Sequence, residues 1–404
     1  MKNTNEKVKT FNILSGAYAG ANTLTGLIPD LYAGLDVVSR ELVGFIPSVS
    51  RDFSMERASV GENITYFVAP AMSGFDVTPA MAVPEPTDRT IGTGQVQITK
   101  SRGVNFGWVG EEQKGLNNGP GYLSVQANMF AQALRTLCNE IELDLSTEAY
   151  QNASRAFGTA GTTPFATNVG ETAQVKKILD DNGAPLTGRS LVIDTSAGAA
   201  LRTLSNLTRV NEAGTNMTLR QGELLDLNTF SIKESAQIIT HTKGTNNGSA
   251  STNNAGYAIG ATTITLASAG TGTILAGDYI TFAGDTNKYL VITGDADVSN
   301  GGSIVISAPG LRQAIPASNT VITTVGTSAR SIGFSQDALV LVARAPALPA
   351  QGDLALDRMM IQDPRSGLAF EVSLYPGYRK IRAEVTLAWG KKAVKREHIA
   401  ALLG

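Results

Sequence analysis

The chain has 404 residues, of which 42% are hydrophobic, 17% are charged and 42 in number are glycine, with a formal net charge of −2. That length exceeds what one core usually serves, so two or three domains are expected, and the near-neutral balance excludes a global field drawing the chain onto nucleic acid. Charge well below the ~25% usual in soluble domains suggests a surface covered by something, most simply other copies of the chain. The single cysteine, Cys138, excludes an internal disulfide framework and fits a reducing cytoplasm. The opening MKNTNEKVKTFNILSG has no apolar segment behind its lysines and is not expected to act as a signal peptide. No apolar run approaches the ~18 residues that would cross a bilayer.

Pro29 opens a segment in which Ile28, Leu31, Leu35, Val38 and Leu42 form one apolar stripe, which predicts a short amphipathic helix over 29–43. NITYFVAP then alternates as a strand, and GQVQITKSRGVNFGWVG alternates again. Between them lie Pro70, Pro79, Pro84 and Pro86, which lack the amide donor and cannot sit in a regular ladder. A long two-stranded arm over 60–109 with an irregular tip is predicted. Because isolated ribbons of two strands are marginally stable, such an arm is expected to lie on a neighbour. In the stretch from Leu123 to Ser154, Phe130, Leu134, Leu137, Ile141 and Leu145 recur every three or four residues with no Pro or Gly between Gly121 and Gly158. This predicts a helix of about 30 residues and ~45 Å. Cys138 flanks its stripe and reads as a packed hydrophobe. After a polar loop, RSLVID reads as a buried strand and TSAGAALRTLSNL as a helix capped by Thr195 or Ser196.

From 230 to 328 the pattern changes to short β-branched strands, ATTITLAS, DYITFAG, KYLVITGD, GSIVISA and NTVITTV, separated by glycine-rich turns. It predicts a small all-β barrel or sandwich inserted into an α+β host. Residues 244–277 hold no charge at all, and 243–256 read as a flexible polar loop before the strands begin at Tyr257. Two long alternating strands and a short terminal helix close the sequence.

Little here supports chemistry. His241 and His398 are the only histidines, neither beside a nucleophile pattern, and both read as surface residues. GDADVSNGG lacks the glycine and glutamate of a calcium loop, and GTGQVQ precedes no helix and is no dinucleotide fingerprint. Glu140, Glu142, Asp144 and Glu148 on the long helix read as solvated or inter-subunit positions. The basic run Lys391, Lys392, Lys395 and Arg396 would attract phosphate only weakly. No catalytic residue, cofactor or metal is expected.

The order of these pieces resembles the major capsid proteins of tailed bacteriophages, the Hong Kong 97 type. NITYFVAP leading to VNFGWVGEE before the long helix, and VTLAWGKKAVKREHIAALLG at the end, fall in the corresponding order. ATTITLASAGTGTILAGDYITFAG is similar to the inserted β-barrel of coat proteins of the P-twenty-two type. The resemblance implies an α+β Hong Kong 97-type fold divided as follows: an N-terminal arm over 1–43 and an extended-loop hairpin over 44–110, then the spine helix with part of a peripheral domain over 111–160. Part of an axial domain would occupy 161–229, the inserted β-domain 230–328, and the remaining strands with a C-terminal helix 329–404. It further implies hexamers and pentamers closing an icosahedral shell around double-stranded DNA, with a scaffolding protein and a portal as partners, no membrane, and assembly in a bacterial host cytoplasm into a virion. Pro84, Glu85, Asp88 and Arg89 at the hairpin tip would touch an adjacent subunit, and Lys2, Lys7 and Lys9 would face scaffold or DNA inside. A nanocompartment shell around a cargo enzyme is the alternative.

Overall fold

The computed structural model describes residues 43–52, 56–68, 77, 79, 92–117, 122–204, 226–362 and 368–404. The helix expected over 29–43 lies outside them, apart from its last residue. In chain order, a 3-10 turn at Ile46–Ser48 leads into β1 (Ser50–Asp52) and then the ribbon strands β2 (Asn63–Val68) and β3 (Gly92–Gln97). Next come β4 (Lys100–Val109), α1 (Gly110–Asn117), the long helix α2 (Tyr122–Gln151), β5 (Arg155–Gly158), α3 (Gly170–Asp181), β6 (Arg189–Ile193) and α4 (Thr195–Thr203). After residue 225 the regular elements are nearly all strands: β7 (Asp226–Leu227), β8 (Phe230–Glu234), β9 (Thr240–His241), β10 (Thr263–Thr265), β11 (Tyr279–Phe282), β12 (Lys288–Thr293), β13 (Ser303–Ile306) and β14 (Ile322–Thr324). It ends with β15 (Ser328–Ser335), β16 (Leu339–Arg344), β17 (Asp357–Gln362), β18 (Ala369–Gly377), β19 (Lys380–Ala393) and β20 (Ile399–Leu403).

Two large sheets organise this mixed α+β chain. The first runs β1-β16-β19-β18-β17, with β4 paired to β19 from Lys100↔Trp389 to Val109↔Lys380. The second runs β10-β13-β12-β5-β20-β15-β6-β8-β7, with β9, β11 and β14 attached to its side. The buried stripe of α2, Leu137, Cys138, Ile141, Leu145 and Ala149, packs between the two, against Val385, Leu387 and Trp389 on one side and Ile332, Phe334 and Ile399 on the other. Helices α3 and α4 cover the far face of the second sheet through Val175, Ile178, Leu179 and Leu201. The terminal strand β20 is therefore covered on both faces: Ile399, Ala401 and Leu403 join the α2 core, and Ala400 and Leu402 the α3–α4 core.

Several sequence expectations need correction. The alternating stretch 92–109 is two strands with different partners: β3 pairs with β2, from Asn63↔Gln97 to Val68↔Gly92, whereas β4 joins the first sheet. The arm thus consists of β2 and β3 alone, and the alternation could not reveal a change of partner at residues 98–99. The expected C-terminal helix is a 3-10 turn, Arg396–His398, followed by β20, paired to β15 on one side and β5 on the other. A short apolar run such as IAALL satisfies helix and buried strand alike, and pairing on both edges decides for strand. Within the polar loop before RSLVID lies the amphipathic helix α3, burying Thr172, Val175, Ile178 and Leu179. The cap of α4 is Asp194, whose carboxylate accepts the amides of Ser196 and Ala197, rather than Thr195 or Ser196.

The strands expected between 230 and 328 all form. Their own core contains Ile264, Ile280, Phe282, Tyr289, Val291, Ile304, Ile306 and Ile322. This unit is continuous with its host, because β12 pairs with β5 at Lys288↔Ala156 and Tyr289↔Arg155, and Tyr279 and Leu290 enter the α2 core. Residues 243–256 are not a flexible loop. Asn246, fully buried, donates to the Ile322 carbonyl and Thr324 Oγ1 while its Oδ1 accepts the Ser249 and Ala250 amides. Polarity without charge is what permits this stretch to enter a core, since each amide and hydroxyl can be matched by a hydrogen bond.

Candidate functional site: a projecting ribbon and a braced helix

The contact residues predicted from sequence, Pro84, Glu85, Asp88 and Arg89, and the lysines Lys2, Lys7 and Lys9, lie outside the described residues. The described part of the arm is its base. Among the described residues β2 and β3 pair only with each other. Where Tyr66 stands opposite Gly94, a β-carbon on that glycine would lie 2.2 Å from the Tyr66 Cζ, so the ring needs a glycine across the ribbon. The ribbon meets the body through a small core of Ala58, Val96, Ile98, Val342 and Ala388. An open cavity of about 520 Å³ at this junction is lined by Asp52, Ile64, Tyr66, Val96, Val340 and Lys395.

A charged network fixes the same junction. Arg57, just before β2, donates from both terminal nitrogens to the two oxygens of Glu371 at 2.8 Å each, and from Nη1 to the Pro346 carbonyl at 2.7 Å. Glu371 is almost wholly buried on β18 and also meets Arg358 Nε at 2.7 Å. Arg358 in turn holds Asp353, which accepts the Tyr375 hydroxyl at 2.7 Å. The hydrogen bonds that Arg57 donates to Glu371 hold its guanidinium pKa above the ordinary value. Because a buried carboxylate left alone is costly, this arrangement ties the arm's root to the first sheet in one geometry.

Of the acidic residues of α2, read from sequence as solvated or inter-subunit positions, Glu142 and Asp144 are buried, and all four are engaged with other elements of the chain. Glu140 forms a two-point pair with Arg102 on β4, at 3.0 Å twice. Glu142, fully buried, accepts the amides of Phe45 and Ile46 at 3.1 and 2.8 Å and the Ser235 hydroxyl at 3.0 Å. Burial pushes its carboxyl up, against the pull of those donors. Asp144 accepts Lys100 Nζ and the Trp389 indole N–H, both at 2.9 Å, and faces Lys391 at 3.5 Å. Burial opposes its ionisation, but Lys100, Trp389 and Lys391 outweigh this and hold the carboxyl below its ordinary range. Glu148 accepts the Ala393 amide at 3.1 Å. In effect α2 is a beam fastened to the N-terminal segment by Glu142, to β4 by Glu140 and Asp144, and to β19 by Asp144 and Glu148. The signal available in sequence was Glu142 itself, four residues after Cys138 and three before Leu145, a charge on the apolar stripe.

Two of the four residues in the basic run are likewise engaged internally, Lys391 with Asp144 and Lys392 with the Gln95 carbonyl at 2.8 Å. Both histidines are largely covered, not surface residues: His398 is buried, and His241 Nε2 lies 2.9 Å from a buried Asp278 oxygen. Among the described residues no cluster of His, Cys, Asp and Glu could hold a metal, and no helix is long and apolar enough to cross a membrane. Large apolar side chains do collect in the open along one border of the first sheet: Leu354 is 85% exposed, Leu356 68%, Met359 55% and Met360 46%. They lie on β17 and just before it, and among the described residues β17 has a partner on only one side.

No family model and no curated protein matches the chain. Among solved structures it is similar, over nearly its whole length, to phage capsid structures. The capsid of the cyanophage P-SCSP1u aligns at TM-score 0.46 and 12% identity, over 95% of this chain and 92% of that one. The capsid of a native GTA particle aligns at 0.44 and 9%, over 98% and 99%. A structure of Mycobacterium phage Che8 aligns at 0.42 and 13%, over 100% and 98%.

Proposed function

We propose that this chain is the major capsid protein of a tailed bacteriophage, a Hong Kong 97-type shell subunit that acts by self-assembly and not by catalysis. The observation that supports this reading most is a ribbon that among the described residues pairs only with itself, carried on a body in which four carboxylates brace a 30-residue helix. A projecting ribbon of two strands is a weak structure in water and gains stability by lying on another surface. A rigid beam is the complementary part, since it carries load between contacts without bending. The exposed apolar border at β17 adds a surface that a free monomer would leave in water.

In this reading copies form hexamers and pentamers that close an icosahedral shell around packaged double-stranded DNA, with a scaffolding protein and a portal as partners, in the bacterial host cytoplasm. The ribbon tip, with Pro84, Glu85, Asp88 and Arg89, reaches an adjacent subunit, and Lys2, Lys7 and Lys9 face the interior. Residues 1–43 form the N-terminal arm, 44–110 the extended hairpin, 111–160 the spine and part of the peripheral domain, and 161–229 and 329–404 the remainder of the axial and peripheral parts. Residues 230–328 are the inserted β-domain. Light scattering after size-exclusion chromatography, on the full chain alone and with a scaffolding protein, tests the reading. Megadalton particles are expected; a monomer under both conditions refutes it.

A further inference from the structure

Where Tyr279 on β11 packs on Arg330 of β15, the interior holds a set of polar atoms that the fold itself leaves unanswered. Arg330 on β15 is fully buried, and none of its three guanidinium nitrogens has a hydrogen-bond partner among the described residues. Ser328, two positions earlier and therefore on the same face of β15, is buried with its hydroxyl unpartnered. The ring of Tyr279 on β11 lies against the Arg330 guanidinium, 4.6 Å from its centroid, and the Tyr279 hydroxyl is also buried and unpartnered.

The neighbouring groups cannot close this gap. Asp278 is a carboxylate whose charge acts on Arg330, but Gly244 donates its amide to both oxygens, Leu275 donates to Oδ2 at 2.8 Å, and His241 lies against Oδ1. Tyr150, at the end of α2, packs on His241, and its hydroxyl accepts from Gln151. The loose ends are thus overwhelmingly donors: five guanidinium N–H groups and two hydroxyls. Burial pulls the Arg330 pKa down and pushes that of Tyr279 up, so the environment works against the arginine's charge. The large majority of buried polar groups in folded proteins are satisfied, and a set rich in donors calls for an acceptor.

We propose that Arg330, Tyr279 and Ser328 bind a small monovalent inorganic anion of the chloride class inside the chain, at the seam between the β-rich unit and its host. The anion accepts from the guanidinium edge and the two hydroxyls, and so joins β11 to β15. Its binding is linked to folding, because only the folded chain brings β11 and β15 together.

The test is thermal unfolding of the full chain in sodium chloride and in sodium gluconate at matched ionic strength, gluconate being too large to enter. The wild type should show a midpoint that climbs with the logarithm of chloride concentration once the site fills, and no such climb in gluconate. Arg330→Met, which keeps the side chain's length and removes its charge, should abolish the difference between the two salts. If Arg330→Met does not fold, Tyr279→Phe and Ser328→Ala carry the test: each should shift the onset of the climb to higher chloride. Identical midpoints in the two salts would mean that water answers these donors and would overturn the proposal. So would a full chloride response in the folded variants.

Discussion

Replacing Asp144 by alanine is expected to destabilise the chain by about 2–3 kcal/mol. Most of this comes from the Trp389 indole N–H, which is fully buried and loses its acceptor at 2.9 Å, a loss of about 1–3 kcal/mol. The Lys100 ion pair adds less than about 1 kcal/mol, because that lysine's side chain is 44% exposed and solvent screens it. Lys391 keeps its bond to the Asp144 backbone carbonyl and adds little. Urea unfolding followed by tryptophan fluorescence measures the difference, with coincident circular dichroism showing that a single transition is being followed. In a Trp389→Phe background, which lacks the indole donor to Asp144, the same change should cost about 1–2 kcal/mol less. The effect should also depend on pH in one direction. Asp144 has a folded pKa below its unfolded value, so its contribution is fully present above the unfolded value of about 4 and fades as pH falls through the lower folded one. A penalty under about 0.5 kcal/mol at pH 7, or one that grows on acidification, would refute the brace.

Other consequences are checked with the same assay. Glu142→Ala strands the buried Phe45 and Ile46 amides and should cost about 3 kcal/mol or more. Gly44→Ala should cost about 1–3 kcal/mol, since its new carbon would meet Val192 Cγ1 at 2.7 Å and the Glu234 carbonyl oxygen at 2.9 Å. His398, whose pKa burial lowers, should make stability fall as pH drops below its unfolded value of about 6.5, and His398→Gln should flatten that slope between pH 7 and 5. Deleting residues 72–92 should leave the helical circular dichroism signal intact while blocking shell closure, seen as loss of large particles in light scattering.

The long helix was legible because its stripe runs unbroken through residues that neither kink nor cap it; the range expected, 123–154, meets the observed Tyr122–Gln151 within three residues at each end. The short strands after 230 were legible for the complementary reason, as β-branched runs set between glycine turns. What alternation could not show was partnership. Nothing in GQVQITKSRGVNFGWVG marks where the chain leaves β2 for β19, because both pairings use the same period of two. Asp194 was hidden as a cap by sitting at the end of a strand, and α3 by lying among turn residues, although Val175, Ile178 and Leu179 carried the spacing. The roles of Glu140, Glu142, Asp144 and Glu148 depend on elements about 40 to 245 residues away, so their chemistry exists only once both sheets have closed on α2.

The central claim meets its most direct test in an electron cryo-microscopy reconstruction of the full chain after assembly. The account predicts closed icosahedral shells in which the β2–β3 ribbon of each copy lies on a neighbouring copy and α2 stays straight beneath it. Shells in which the ribbon contacts only its own subunit, or no shells at all, would contradict it.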